Sequence, residues 1–459
     1  MRAATRRTMV TVQKEVGDAY VGQWNLDPTT ALSLGVAPFV KSREDTQVVL
    51  RSAELLPEGQ PVEFSGFSLH RALRTAESMD SRADEETGGI RFADLASSHP
   101  VMVSFPPDLM WLAHPGPVVK FAEGIQRILP ESELSSTPAD SLRIALAIQN
   151  QLVASPQSFV FWRAAIRRDL PTHVPLTRYL IDFSIAVAAR ARAKLLAPMA
   201  PVIDSRTPNS VWLAHKVNLA FGDVIADRVN EGAKAPALLY ALSFNPGVFE
   251  ADSPSETLST AERNASAALQ SGLFEGIWVA IRGLPRISLS AGRVNSVLRL
   301  IRRLGVIARA NDAPLWWSRA GLAGLAAADL GCAGSSFSLN LRCDDLYVDG
   351  GGMAGDYTQT YGKVLNPVAR DLWEYRQVRR SLDAPEPGLA DLGPCRHIPN
   401  ELELASPSKY RVFFSKPYNL AAMNYLYSDW KAHIGQGETT PGREYLQTFS
   451  APTNQWGLR

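Results

Sequence analysis

The chain has 459 residues, 46% of them hydrophobic and 20% charged, which excludes wholesale disorder and suits one large decorated domain or two. Its 47 Lys plus Arg against 46 Asp plus Glu leave a formal charge of +1, so no global basic field draws it onto nucleic acid or an anionic membrane. Cys332, Cys343 and Cys395 fit neither a disulfide framework nor paired zinc ligands. No signal-peptide core follows Arg6 and Arg7, and no apolar run is long enough to span a bilayer, so a reducing, cytoplasmic setting with no membrane partner is expected.

Residues 1–96 read as an irregular leader or small subdomain, with short strand candidates at Thr46–Leu50 and Pro61–Phe64 and a charged loop over Asp80–Gly89. From residue 97 the pattern becomes strand, loop, helix, repeated. His99–Phe105 and Pro156–Arg163 are apolar runs that predict the first two strands, with a helix over Pro138–Val153 capped by Thr137. A helix over Leu176–Lys194 feeds a third strand, Leu195–Asp204, and Thr207 and Pro208 open a helix that reaches Asn230. Ala237–Ser243 is the fourth strand, a helix runs from Ser253 to Gln270, and Gly276–Arg282 is the fifth strand. The helix from Gly292 to Ala310 sets Val294, Val297, Leu298, Ile301 and Leu304 at helical spacing, with Arg293, Arg299, Arg302, Arg303 and Arg309 at other angles. Pro314–Arg319, Gly334–Asn340 and Lys409–Ser415 complete the strands, the first two joined by a short helix over Gly321–Leu330.

The central strands begin near residues 195, 237, 276 and 314, intervals that a βα unit with two loops fills. The predicted class is therefore α/β, a (β/α)8 TIM-type barrel over 97–435, with the alternative of an open doubly wound parallel sheet. Residues 341–408 are expected as an insertion after the seventh strand, and 436–459 as a C-terminal tail. The strands from Ala237 to Asn340 resemble, in fold alone, barrels of the tRNA-guanine transglycosylase type. That family's cysteine-rich zinc site and Asp-Ser-Gly-Gly-Phe motif have no counterpart here, so the resemblance implies a barrel and assigns no residue.

In such a barrel the strands' C-terminal ends and the loops after them carry the chemistry. Asp204 is the candidate nucleophile or general base, with Arg282 and Arg319 as charge-stabilising partners. Arg163, Asn245, Asn340, Arg342 and Lys416 are candidate substrate-binding groups at other strand ends. Gly351 lies in the glycine-rich run Asp349–Asp356, which lacks the Lys-Ser or Lys-Thr of a Walker loop and the acidic follower of a dinucleotide fold but can cradle a phosphate. No metal site is predicted, because the seven histidines do not cluster, and no cofactor is specified. Tyr418 is a candidate ring-stacking residue.

The expected function is a soluble barrel enzyme, a transferase or hydrolase, acting on a small anionic, phosphate-bearing or nucleotide-like substrate. The alternative is a non-catalytic barrel serving recognition or assembly. Nucleic-acid binding requires a contiguous basic stripe, for which the arginines of 293–309 are the candidates.

Overall fold

The computed structural model describes residues 35–66, 91–105, 184–204, 210–230, 235–249, 256–281, 291–340, 361–383 and 406–434, apart from 186, 190, 328–329 and 368–370. Eight parallel strands close into a barrel in chain order: β1 Gly35–Val40, β2 Val62–Ser65, β3 Val101–Ser104, β4 Leu195–Ala197, β5 Ala237–Phe244, β6 Gly276–Ile281, β7 Leu315–Ser318 and β8 Gly334–Ser338. Closure is made between β1 and β8, in register from Gly35 opposite Gly334 to Phe39 opposite Ser338. The barrel of the sequence reading is therefore present, and the open doubly wound sheet is not.

Two strands lie elsewhere than expected. The barrel begins at Gly35 rather than near 97, and β1 and β2 come from the segment read as an irregular leader. Thr46–Leu50, read as a strand, belongs to helix α1, Arg43–Arg51. Ser42 caps it by accepting from the Asp45 N–H at 3.1 Å, and Glu44 and Asp45 in the first turn with Arg51 in the last match the helix dipole. At the other end, Lys409–Ser415 is helical: a short helix α7 (Pro407–Tyr410) continues through a π turn (Arg411–Ser415) into α8, Lys416–Ile434. Ring packing decides it, since Tyr410 meets Tyr361, Tyr375 and Phe414 edge-on or tilted at 5.0–5.4 Å. The region after 341 consequently follows the eighth strand, not the seventh, and carries a small antiparallel pair, β9 Val364–Asn366 with β10 Asp371–Trp373, and helix α6, Tyr375–Asp383. Pro156–Arg163, the helix over 138–153 and the loop over 80–89 lie outside the described residues.

The helices after β4, β5 and β6 match expectation, whereas the one before β3 starts in the segment read as an irregular leader. A short helix α2 (Phe92–Ser98) leads into β3; α3 (Ser210–Asn230) follows β4, α4 (Glu256–Gln270) follows β5 and α5 (Ala291–Ala310) follows β6, while β7 leads into a 3-10 turn, Gly321–Ala326. Strand alternation then sorts the apolar residues into two clusters. Val36, Val62, Val101, Leu196, Leu238, Ile277 and Leu315 face the helices, and Ala37, Met102, Leu195, Leu239, Ala241, Trp278 and Trp316 fill the barrel. The small inward residues leave the space that the two indoles occupy.

Gly276 opens β6 where backbones crowd. A Cβ there would lie 2.6 Å from the Pro314 carbonyl oxygen and 2.8 Å from Pro314 Cγ. Gly276→Ala is expected to cost about 2 kcal/mol, because a strand backbone cannot retreat as a side-chain tip can. An unchanged melting temperature would show that β6 and β7 separate more readily than their pairing implies.

Candidate functional site at the C-terminal rim of the barrel

Near their C-terminal ends the strands turn polar on the inward face. Inward alternation carries Ser65, Ser104, Ser243, Ser318, Ser336 and Ser338 into this layer, all buried. The layer is organised by one residue that the sequence reading passed over, Glu63 on β2, which is 0% exposed. Its Oε1 accepts from Ser104 Oγ at 2.6 Å, Ser318 Oγ at 2.7 Å and Trp278 Nε1 at 3.2 Å. Its Oε2 accepts from Trp316 Nε1 at 2.9 Å and from Ser336 Oγ. One carboxylate thus joins β2 to β3, β6, β7 and β8 across the interior, and a carboxylate is the only side chain that accepts this many donors on two oxygens.

The network reaches the rim through Ser336. Its hydroxyl donates to Glu63 and accepts from the Arg319 N–H at 2.9 Å, just past the end of β7. Arg319 has φ +56°, in the left-handed region that a branched or long side chain rarely enters. The other non-glycine positive-φ residues among those described, Arg192 and Asp312, terminate helical turns, with their N–H groups bonded to Ala189 and Arg309 carbonyls, an ordinary left-handed cap. Arg319 follows a strand, is only 6% exposed, and holds its guanidinium carbon 4.2 Å from the centre of the Phe39 ring. Phe39 is the register partner of Glu63, so network, strained backbone and stacked cation form one assembly across β1, β2, β7 and β8.

On the opposite arc, Asp204 and Asn245 come together for a backbone reason. The strand read as Leu195–Asp204 is interrupted: Pro198 and Pro201 lack the N–H of a ladder residue, and regular pairing of β4 with β5 stops at Leu196 opposite Leu238. The buried side chain of Asn218 in α3 fills the gap, accepting from the Ala241 N–H at 2.8 Å and donating to the Ala241 carbonyl at 2.9 Å. Pairing resumes at Ile203 opposite Phe244, with Ile203 N–H to Ser243 O at 2.7 Å and Asn245 N–H to Ile203 O at 2.9 Å. This sets Asn245 Nδ2 3.0 Å from Asp204 Oδ2, while the Asp204 N–H donates to Ser210 Oγ and the Ser210 hydroxyl donates back to the Asp204 carbonyl. The amide fixes the carboxylate's orientation, and Ser210 fixes its backbone at the start of α3.

No protein-family model matches the chain, and no curated protein matches it.

Of the other predicted site residues, Asn340 lies half-buried just beyond β8 on the same rim. Lys416 does not join it. Lys416 opens α8, is 1% exposed, and pairs with Asp45 Oδ1 at 2.6 Å and Glu44 Oε2 at 2.9 Å; Arg411 reaches Glu44 Oε1 at 2.9 Å. Two carboxylates at the start of α1 occupy this cation, which anchors α8 to the barrel instead of binding substrate. Tyr418 is likewise core, 1% exposed and packed on Phe414. Arg163, Arg282, Arg342 and Gly351 lie outside the described residues. His215, whose Nδ1 sits 2.9 Å from the Tyr240 hydroxyl, is held below the usual imidazole range by burial and plays a packing role behind β5. Among the described residues no group of His, Cys, Asp and Glu is arranged to hold a metal, and no helix is long and apolar enough to cross a membrane.

A signal for Glu63 does stand in the sequence. β2, β3, β7 and β8 all end in serine, and Val62-Glu63-Phe64-Ser65 places a lone carboxylate on the serine-bearing side. Serines recurring at the ends of inward-alternating strands mark a polar interior layer that needs an acceptor.

Proposed function

We propose that the protein is a barrel enzyme whose C-terminal rim binds the anionic group of a phosphate-bearing or nucleotide-like substrate through Arg319, with Asp204 as the base or nucleophile of a group transfer or hydrolysis. The observation that carries this reading is the left-handed backbone of Arg319. Such a conformation costs on the order of 1–3 kcal/mol and persists where the surroundings over-determine it, as they do at ligand clamps. Here the surroundings are the Ser336 hydroxyl and the Phe39 ring, which fix a guanidinium at a strand end where barrels bind substrates. Asp204, oriented by Asn245 on the facing arc, supplies a carboxylate with a set direction, as general-base or nucleophilic work requires.

The test is thermal stabilisation by inorganic phosphate, pyrophosphate and a panel of nucleotides and sugar phosphates, run on wild type and on Arg319→Asn. Asparagine tolerates the left-handed backbone, so the variant keeps the fold while losing the cation. A ligand at a hundredfold excess over its Kd stabilises wild type by about 2.7 kcal/mol, and the variant is expected to show no shift. Equal shifts in both proteins would remove Arg319 from the site. No shift with any anion would favour the recognition-module reading, in which the polar interior serves stability alone.

A further inference from the structure

We infer that the outer face of α5 is a docking surface for a nucleic-acid phosphodiester backbone, separate from the rim and independent of the reading given above. α5 contains five arginines, no lysine and no acidic residue. Val297, Leu300, Ile301, Leu304 and Ala308 bury one side of the helix in the core. The opposite side exposes Arg299, Arg302, Arg303, Val306 and Arg309. At about 100° and 1.5 Å per residue these positions fall within an arc of roughly 120° and extend about 15 Å along the axis. A strand of duplex presents about one phosphate per 3.4 Å of axis, so the stripe spans about four phosphates.

The neighbouring charges leave this face positive. Glu262 of α4 pairs with Arg303 at 3.1 Å, along the groove between the helices, and Arg263 on the exposed side of α4 adds another cation, bonded to Thr260. Glu256 stands exposed at the N-terminal end of α4, and Asp312 is exposed just beyond the end of α5. Among the described residues Arg299, Arg302 and Arg309 have no ion-pair partner. Val306, 54% exposed, is the one large apolar side chain on the stripe, too little to insert into a lipid interface. Guanidinium groups, with forked donors that match phosphate oxygens, without an apolar companion surface, favour a phosphodiester chain over a membrane. The formal charge of +1 bears on the whole molecule, whereas a backbone contact a few phosphates long sees only this face.

The experiment is fluorescence anisotropy with labelled random-sequence duplex DNA, duplex RNA and single strands, across a salt series. Three arginine–phosphate contacts predict a slope of about −2.7 in log K against log salt on duplex DNA, a loss of roughly fortyfold between 50 and 200 mM, with little dependence on sequence. The triple variant Arg299→Gln, Arg302→Gln, Arg309→Gln is expected to bind at least about tenfold more weakly at 100 mM salt with an unchanged melting temperature, because all three side chains are exposed. Arg376→Gln with Arg380→Gln, which removes exposed charge from α6 instead, is the control and is expected to bind as wild type does. The inference is overturned if wild type binds no probe at 50 mM salt, if the α5 and α6 variants weaken binding equally, or if anionic phosphatidylserine vesicles bind where the nucleic acids do not. Phosphate-induced stabilisation that survives the triple variant separates this face from the rim.

Discussion

Glu63→Leu is expected to destabilise the barrel by about 4 kcal/mol. The change leaves five donors from four strands without their acceptor. Three are hydroxyls, which rotate toward neighbouring carbonyls, but the indole N–H groups of Trp278 and Trp316 are fixed by rings that are each at most 1% exposed. An orphaned buried donor costs roughly 1–3 kcal/mol, so the two indoles account for most of the loss. Glu63→Gln is milder: its amide keeps one oxygen and turns an NH2 toward the other donor set, where one indole still meets a donor, at a cost of about 2 kcal/mol. Two serine variants separate stability from function. Ser104→Ala and Ser336→Ala each remove one donor to Glu63 and should lower the denaturation midpoint similarly, but only Ser336 also accepts from Arg319, so only Ser336→Ala should weaken anion-induced stabilisation. Equal ligand responses in the two variants would confine the network to stability. A Glu63→Leu protein with the wild-type midpoint would mean that the donors find other partners.

The regular half of the barrel is the half that the sequence shows most plainly. β5, β6 and β7 are apolar blocks bounded by turn residues and separated by helices with good start signals, so local pattern and final structure agree. β1 is harder to see because Pro38 sits in the middle of six residues, and proline ordinarily argues against a paired strand. Thr46-Gln-Val-Val-Leu50 has the β-branched content of a strand, yet the Ser42 cap and the burial of Val48, Val49 and Leu50 against the barrel make it helical. Tyr410–Ser415 alternates like a strand for a similar reason, and its aromatics cluster only when it coils. At the site, Asp204 and Asn245 are legible as strand-end residues, but their hydrogen bond depends on two prolines that break β4 and on Asn218 bridging the gap. Glu63 gathers its donors from residues up to 273 positions away, a distance across which no spacing rule reaches. Lys416 misled for the converse reason: a lysine after an apparent strand looks like a rim cation, and its acid partners stand in α1, 371 and 372 positions earlier.

Lys416→Met is expected to cost about 3–5 kcal/mol, because it leaves the Asp45 carboxylate, 2% exposed, without its counter-charge. Burial alone pushes the Asp45 carboxyl up; the ammonium 2.6 Å away, with smaller help from the charge of Lys41 and a hydrogen bond with Ser42, more than reverses this and holds it below the usual aspartate value of 3.8. Burial also pushes Glu44 up, and Arg411 with Lys416 brings it below the usual 4.5. Folded values lower than unfolded ones mean that the unfolded chain binds the extra protons. The cluster therefore contributes its stability fully above about pH 4.5 and loses it as pH falls through the lower folded values. In Lys416→Met the largest influence opposing burial of Asp45 is gone and only Lys41 and Ser42 still act against it, so the folded carboxyl titrates higher than in wild type and acid narrows the gap by protonating the stranded group. Unfolding midpoints of both proteins between pH 3 and 7 should converge toward the acid end, and the double variant Asp45→Leu, Lys416→Met should recover most of the loss at neutral pH, since an apolar pair of similar volume needs no counter-charge. Curves that stay parallel over that range would show that Lys416 holds α8 by packing alone, with the carboxylates already hydrated in the folded protein.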